Sequence, residues 1–480
     1  MVPRNFTARA CIVVIAMTLS ACSIGPTYER PSTPISPTYK EADGWVHAAP
    51  GDALDKGTWW TLFQDPTLDS LASRVEVSNQ NVAAAVAAYD QARAFVREQR
   101  ASFFPVVSLD GGVNRARTGA GTRNSYQVSI GGSWEPDVWG RLRHTVSAAS
   151  ASAEASAADL AAARLSAQGE LVADYVTLRQ VDVGVGLLRS TIEGYARSLQ
   201  IAQNRYDQGI IARTDVLQAQ TQLANAQADL TDLGRQRGQL EHAIAVLIGE
   251  APGNFAIAPV PDWLPKVPDV PIGVPSTLLQ RRPDIASAER RVAAANEQIG
   301  IAQTAFFPNL TLNGSAGIGA SHLGDLFNAS SLLWSLGLSA AETLFDAGAR
   351  SARVEESRAA HAEAVARYRQ TVLAAFQDVE DQLVATRVLA EEETYRRTAS
   401  QAADEVERQV INRYRAGITG FTDVVVAQAA ALSARRALVQ IAANRQTTAV
   451  ALIQSLGGGW NTDMMPAEAN APKSTASAAP

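Results

Sequence analysis

Two kinds of hydrophobic pattern alternate along this chain, and the alternation runs through twice. From about 67 to 101, and again from about 283 to 304, alanine and aliphatic residues recur at helical spacing and end at Phe-Phe-Pro. Pro105 and Pro308 cannot extend a helix, and they bias the phenylalanine before them toward extended geometry. Period two follows. Val107, Leu109 and Val113 alternate with Ser108, Asp110 and Asn114, and Tyr126, Val128 and Ile130 alternate with Gln127 and Ser129. In the second half Leu310, Leu312, Gly314, Ala316 and Ile318 interleave with Thr311, Asn313, Ser315 and Gly317. Trp334, Leu336, Leu338 and Ala340 interleave with Ser335, Gly337 and Ser339. Such alternation predicts strands with one apolar and one polar face.

Each half then enters a very long helical pattern without proline, about 140–207 and about 346–415. At about 1.5 Å per residue each helix spans roughly 100 Å. Gly209 and Gly417 are placed to stop these helices, and Thr214-Asp215 and Thr422-Asp423 to cap the return helices with their side chains.

The two halves are copies. "NRYDQGIIARTDVLQAQ" (204–220) and "NRYRAGITGFTDVVVAQ" (412–428) share ten of seventeen residues at an offset of 208. "ASFFPVVSLDGG" (101–112) matches "TAFFPNLTLNGS" (304–315) at an offset of 203, so the second half carries a five-residue loop insertion. Trp139-Gly140-Arg141 is answered by Ala347-Gly348-Ala349. Two copies make a duplicated domain, since a solenoid needs three or more. The expected division is a first repeat at 66–255 (strands about 105–135, tip 204–220) and a proline-rich bridge at 256–275. A second repeat follows at 276–457 (strands about 308–341, tip 412–428).

Each half supplies two strands set among helices, with no further strands to pair with, and a lone hairpin is marginal in water. Their apolar-out, polar-in alternation resembles transmembrane barrel segments. A bilayer forbids open sheet edges, because each unsatisfied backbone group there costs several kcal/mol. Four strands cannot close a barrel; single-chain barrels begin at about eight. The barrel is therefore expected to be shared between chains. Two chains give eight strands and a filled interior, three give twelve and room for a passage. The small-residue run "SAASASAEASAADLAAARLSAQ" (147–168) lets helices approach closely. It suits a ring of helices better than a two-stranded coil, which wants Leu or Ile seams.

Composition narrows the function. The chain has 480 residues, 6% aromatics, abundant alanine and a net charge of −6 without any basic run, which argues against nucleic-acid binding. His47, His144, His242, His322 and His361 share no ligand spacing, and no nucleophile elbow or phosphate loop follows a strand, so no enzyme, metal or cofactor is expected. At the N-terminus, Arg4 and Arg9 precede an apolar run from Ala10 to Leu19, and Leu-Ser-Ala-Cys ends at Cys22. This reads as a signal peptide over 1–21 with Cys22 as the lipidated first residue of a segment at 22–65. The only other cysteine, Cys11, lies in the removed part, so no disulfide is expected. The Ala-, Pro- and Ser-rich tail at 458–480 reads as disordered.

A further set of residues completes a pattern: Cys22 with Gly25-Pro26 and Tyr28, Trp59-Trp60, both Phe-Phe-Pro motifs, Trp134-Glu135 with Asp137, Trp139-Gly140-Arg141, "VPSTLLQRRPDI" (274–285) and both tip motifs. In this combination nearly the full mature chain resembles the TolC/OprM-type outer-membrane efflux factors. Within them it resembles the lipoprotein (NodT-type) branch that works with resistance–nodulation–division pumps. The resemblance implies a mainly α fold with a β-barrel portion. Long α-helical hairpins form a twelve-helix periplasmic barrel, and four strands per chain join a twelve-stranded trimeric transmembrane barrel. It implies a homotrimer in the outer membrane of a Gram-negative bacterium, anchored by diacylglycerol and an N-acyl chain on Cys22. A periplasmic adaptor and an inner-membrane pump are its partners, and drugs or other small molecules pass through it.

By resemblance the bridge and tail belong to a collar around the tunnel, and Pro105, Gly140, Pro308 and Gly348 mark barrel–helix junctions. The tips form an iris gate. There the Tyr414 hydroxyl donates to Asp215, with Thr214 and Arg413 in the same constellation, and Asp423 lines the constriction. Gly209 and Gly417 face the adaptor. Two positions depart from that family: its second tip aspartate is Val426 here, and a basic latch residue is Thr419. Two rival readings are a lipid-anchored coiled-coil rod without a pore and a type I secretion outlet for polypeptides.

Overall fold

A computed structural model describes residues 24–33, 38–41, 58–119, 121–264, 266–268, 270 and 281–459. Among them lie seven α-helices and four strands in the order α1 (Pro66–Ser78), α2 (Gln80–Ala101), β1 (Val106–Thr118), β2 (Gly121–Trp134), α3 (Arg141–Asp207), α4 (Arg213–Leu247), α5 (Pro283–Thr304), β3 (Asn309–Ala320), β4 (Leu332–Ala341), α6 (Ala349–Arg415) and α7 (Phe421–Ser455). Helices α3 and α6 are 67 residues each, and the return helices α4 and α7 are 35 each. Helix α3 runs beside α2, α4, α5 and α7, and α6 beside α5 and α7. Its small-residue face allows this crowding: Ala149 and Ala153 pack against Val96 and Ala92 of α2.

The first helical stretch, expected as one helix, breaks in two at Asn79. Its backbone turns extended, and its side-chain oxygen accepts from the Asn81 and Val82 amides at 2.9 and 3.1 Å, capping α2. Its amide nitrogen donates to the Leu247 carbonyl at the end of α4, 2.7 Å away. One buried side chain thus serves two helix ends, which outweighs continuity of the helix. Gly249, at φ +71°, must be glycine: a Cβ there would lie 2.2 Å from the Ser78 carbonyl oxygen.

The four strands form one antiparallel meander in chain order. The two hairpins, expected to have no partner within the chain, pair with each other through β2 and β3 from Tyr126↔Ala320 to Trp134↔Leu312. Duplication explains this, since each half presents a matching strand edge at the same height. The five-residue insertion falls in the β3–β4 connection, which contains the 3-10 turns Leu323–Asp325 and Ala329–Ser331. Residues 119–120 alone join β1 to β2.

At mid-length the helices enclose the main core. Trp59, Trp60 and Phe63, on the 3-10 helix Trp59–Phe63, lie against Leu171, Tyr175 and Leu178 of α3, and Tyr368, Val372 and Val379 of α6 join the same cluster. The described part of the bridge is tied down by charge. Buried Asp182 accepts from Arg179 at 2.9 Å, Arg237 at 2.8 Å and the Val260 amide at 3.1 Å, while Arg179 donates to the Ala258 carbonyl at 2.8 Å. Two guanidinium groups and an amide compensate one buried carboxylate, the condition under which such a charge is tolerated.

The N-terminal segment forms a strap. The Ile24 amide bonds to the Trp139 carbonyl at 3.3 Å, Tyr28 donates to Glu289 at 3.0 Å, and the Lys40 and Glu41 amides bond to Glu380 of α6. Cys22 lies outside the described residues. At the other end, Gly458 and Gly459 correct the expected start of a disordered tail. They continue a tight turn of positive φ after α7, in which a Cβ on Gly458 would meet Leu165. Residues 460–480 lie outside the description.

Candidate channel wall and periplasmic tip

The sheet aligns the alternation of four strands into two chemically distinct faces. Leu109, Ile130, Ala316 and Trp334 fall in one cross-strand row, and Val107, Gly132, Gly314 and Leu336 in another on the same face. The opposite face carries Ser108, Gly131, Ser315 and Ser335 in one row, with the two serine hydroxyls of the second hairpin 2.9 Å apart. The apolar face is bare in the single chain, Trp334 being 76% exposed. Exposing it to water forfeits about 25 cal/mol per Å², and a lipid environment removes that cost. The outer edges of β1 and β4 have no partner strand among the described residues.

Where strands meet helices, the two halves use the same joint. Pro105 and Pro308 immediately precede β1 and β3. Gly140 and Gly348 sit at φ +88° and +89° just before α3 and α6, a conformation that favours glycine. In each half an aspartate just upstream caps the helix start, one position apart in the repeat register. Asp137 accepts from the Leu142 and Arg143 amides at 2.9 and 3.0 Å, and Asp346 from the Gly348 and Arg350 amides at 3.1 Å each. Aromatics ring the joint: Trp139 stacks on Phe307 at 5.0 Å and donates to the Pro308 carbonyl at 2.8 Å, and Trp134 donates to the Phe103 carbonyl at 2.8 Å. Such a girdle suits the membrane–water interface.

The tips begin with matching helix ends. Gly209 takes φ +70° and Gly417 +76°. The amide of Gly209 bonds back to the Tyr206 carbonyl and that of Ile210 to Arg205; Gly417 bonds to Tyr414 and Ile418 to Arg413. Both are Schellman ends, which satisfy the last helical carbonyls through a left-handed residue. The return helices start one residue pair earlier than expected. Ala212 and Gly420 occupy the cap positions and no side chain caps either helix, which corrects the capping role assigned to Thr214-Asp215 and Thr422-Asp423. Asp215 and Asp423 instead lie inside the first turn, where a carboxylate favours the helix dipole. The Thr419 hydroxyl donates to Asp423.

The structure does not bring Tyr414 to Asp215 as a hydrogen-bonded pair. The Tyr414 hydroxyl is buried and has no hydrogen-bond partner among the described residues. Burial raises its pKa, with the charge of Asp215 adding to the rise and Arg205 opposing it. It lines a cavity of about 210 Å³ with Ser198, Glu407, Arg415, Gln428 and Arg435. What grips Tyr414 is Arg205. Its guanidinium lies 4.7 Å from the ring centroid and donates to the Tyr414 carbonyl at 2.9 Å, tying the first hairpin to the second. Phe421 packs edge-on against the same ring at 5.5 Å. Sequence reasoning passed over Arg205, although it is the repeat equivalent of Arg413 and the offset of 208 pointed to it. Thr214 and Arg413 are exposed, Thr214 lining a groove of about 760 Å³ between α4 and α7 together with Leu217, Thr221, Val425 and Leu432. No cluster of potential metal ligands occurs among the described residues.

A family model described as outer membrane efflux protein matches residues 71–250 and 274–458. The chain is 32% identical over 462 residues to outer membrane protein OprJ of Pseudomonas aeruginosa, covering 94% of this chain and 95% of that protein. It superposes on the outer-membrane channel OprN with a TM-score of 0.86 at 30% identity, covering 92% of this chain and all of that one. The open state of MtrE from Neisseria gonorrhoeae gives 0.81 at 28% identity, covering 91% and 98%. A mainly helical body with a β-barrel portion, two matched halves and relatives aligned along almost the whole chain lead to one conclusion: this chain belongs to the outer membrane efflux protein family, and is an outer-membrane channel component for efflux rather than an enzyme.

Proposed function

We propose that three copies of this chain close into a single exit duct of a tripartite efflux pump, passing drugs or other small molecules from periplasm to exterior. The observation that carries this reading is the four-stranded sheet: lipid-compatible on one face, polar on the other, and open at both edges. A bilayer tolerates no open edge, and twelve strands enclose a passage where eight are filled by side chains. The breadth of cargo follows the relatives, among which are a toluene efflux pump component of Pseudomonas putida and a pyoverdine export protein of P. aeruginosa. In this duct the repeats at 66–255 and 276–457 each contribute one hairpin of strands and one of helices, with the 256–275 bridge in the collar. The strap supports lipid attachment at Cys22. It begins at the Trp139 carbonyl beside the aromatic girdle, two residues after the cysteine.

The tips act as the gate: Arg205 holds Tyr414 of the second hairpin, and Thr214, Asp215, Arg413 and Asp423 lie at the same two tips. Gly209 and Gly417, flanked by exposed Ile210 and Ile418, meet a periplasmic adaptor bound to an inner-membrane resistance–nodulation–division pump. The test is planar-bilayer recording of the purified, heat-labile trimer. Wild type passes small, flickering currents, and Arg205→Ala opens them. A protein that is monomeric and silent in lipid overturns the duct, and unchanged current from Arg205→Ala overturns its role in the gate.

A further inference from the structure

The β1–β2 hairpin stands above the rest of the sheet. Its pairing continues without a bulge to Thr118↔Gly121, whereas β2 loses contact with β3 at Tyr126↔Ala320. Five residue pairs therefore project beyond the shared sheet, roughly 16 Å at about 3.3 Å per residue. This projection carries Arg115, Arg117 and Arg123, and no carboxylate occurs anywhere in 111–134. None of the three arginines makes a hydrogen bond or ion pair among the described residues, and Arg115, Arg117 and Arg123 are all exposed.

The unbroken register decides which way each faces. Successive residues of a strand alternate sides, so Arg115 and Arg117 share the face of Val107, Leu109 and Val113, the apolar face. Arg123 pairs with Ala116 and shares the face of Ser125, Gln127 and Ser129, the polar one. Two guanidinium groups thus stand on the lipid-facing side at the rim of the apolar band farthest from the helices, and no ion pair among the described residues neutralises them. A charge on that face is costly at the bilayer centre and tolerated near its surface. There a planar guanidinium matches a phosphate with two parallel hydrogen bonds.

We propose that Arg115 and Arg117 form a binding site for the phosphate groups of outer-leaflet lipid headgroups, while Arg123 on the same hairpin faces the passage and takes no part. The occupant is a lipid because the arginine pair is continuous with the lipid-facing band and separated by the strand from the water-filled side. The inference rests on the outer-membrane placement of the chain and is independent of the gate.

Trimers in phosphatidylcholine nanodiscs are titrated with bisphosphorylated lipid A, with bound lipid counted by native mass spectrometry. Arg115→Ala/Arg117→Ala is expected to weaken binding about twenty-five-fold, by the roughly fivefold that each arginine contributes near an anionic surface. Arg115→Lys/Arg117→Lys is expected to retain part of it, and Arg123→Ala all of it. Dephosphorylated lipid A should not bind above the phosphatidylcholine background. Heat-labile trimer on gels verifies assembly, and the single Arg115→Gln and Arg117→Gln variants replace the double alanine variant if it does not assemble. Equal loss in Arg123→Ala, equal binding of dephosphorylated lipid, or displacement by millimolar inorganic phosphate would each overturn the site.

Discussion

The two tips are written in nearly the same words and live in different surroundings. Tyr206 and Tyr414 are repeat equivalents, yet Tyr206 is 39% exposed and Tyr414 only 4%. Phe421 is 2% exposed against the Tyr414 ring, and its counterpart Arg213 lies in solvent. Arg205 crosses to the other hairpin, whereas its counterpart Arg413 is exposed at its own helix end. Thr419 reaches Asp423; the corresponding Ile211 has no hydroxyl to reach Asp215 and packs on the small tip core instead. Duplication supplied one local design, a left-handed glycine and a short link to the return helix. Divergence at a few flanking positions then made the first tip the holder and the second the held.

This asymmetry can be broken in graded steps. Phe421→Ala should cost the most, about 3–5 kcal/mol of local stability as a buried aromatic is lost. Arg213→Ala should stay within about 0.5 kcal/mol. Hydrogen exchange at the tips of the trimer reads both, and equal protection in the two variants would erase the distinction. Next comes Arg205→Ala, which removes a ring contact and a carbonyl bond together worth about 1–3 kcal/mol. Single-channel current should rise for it and remain at the wild-type level for Arg413→Ala.

Tyr414→Phe should be nearly neutral or slightly stabilising, by up to about 1 kcal/mol, because the hydroxyl it deletes is buried without a partner. If Asp215→Ala combined with Tyr414→Phe opens the channel more than Asp215→Ala alone, the tyrosine hydroxyl contributes to closure after all.

The smallest effect compares the two junctions. His144 bonds through Nδ1 to Glu297 at 2.5 Å and through Nε2 to the Ile24 carbonyl at 3.0 Å, and the second half has Ala352 in its place. The Glu297 hydrogen bond raises the His144 pKa above its ordinary 6.5, against burial and the nearby Arg143. A raised folded pKa means the protonated form is stabilised by folding. The strap's extra hold is therefore complete below about pH 6.5 and fades as pH climbs through the folded value. Amide exchange at Ile24 and Gly25 should quicken over that window, and His144→Gln should flatten the dependence.

Much of this architecture is local chemistry and was readable as such. Pro105 and Pro308 end helices because they lack an amide hydrogen, and Gly209 and Gly417 accept a left-handed backbone that a side chain resists. Alternation placed the strands, and the offset between copies marked both junction glycines. The misses share one feature: they depend on a partner distant in sequence. Asn79 breaks a helix because Leu247 arrives beside it. Thr214 and Asp215 have the right chemistry for a cap, but the preceding turn already places Ala212 there. The tyrosine–aspartate pair gave way to Arg205, whose reach depends on how the two hairpins sit together.

Sequence alone thus determined the order of the strands and long helices, the doubled plan and the insufficiency of four strands, since each follows from periodicity, backbone propensity and the bilayer's intolerance of unpaired amides. Tertiary structure alone decided that β2 meets β3, that Arg205 serves the second tip, and that Arg115 and Arg123 stand on opposite sides of one hairpin. These depend on distance and register between segments, which no local pattern encodes.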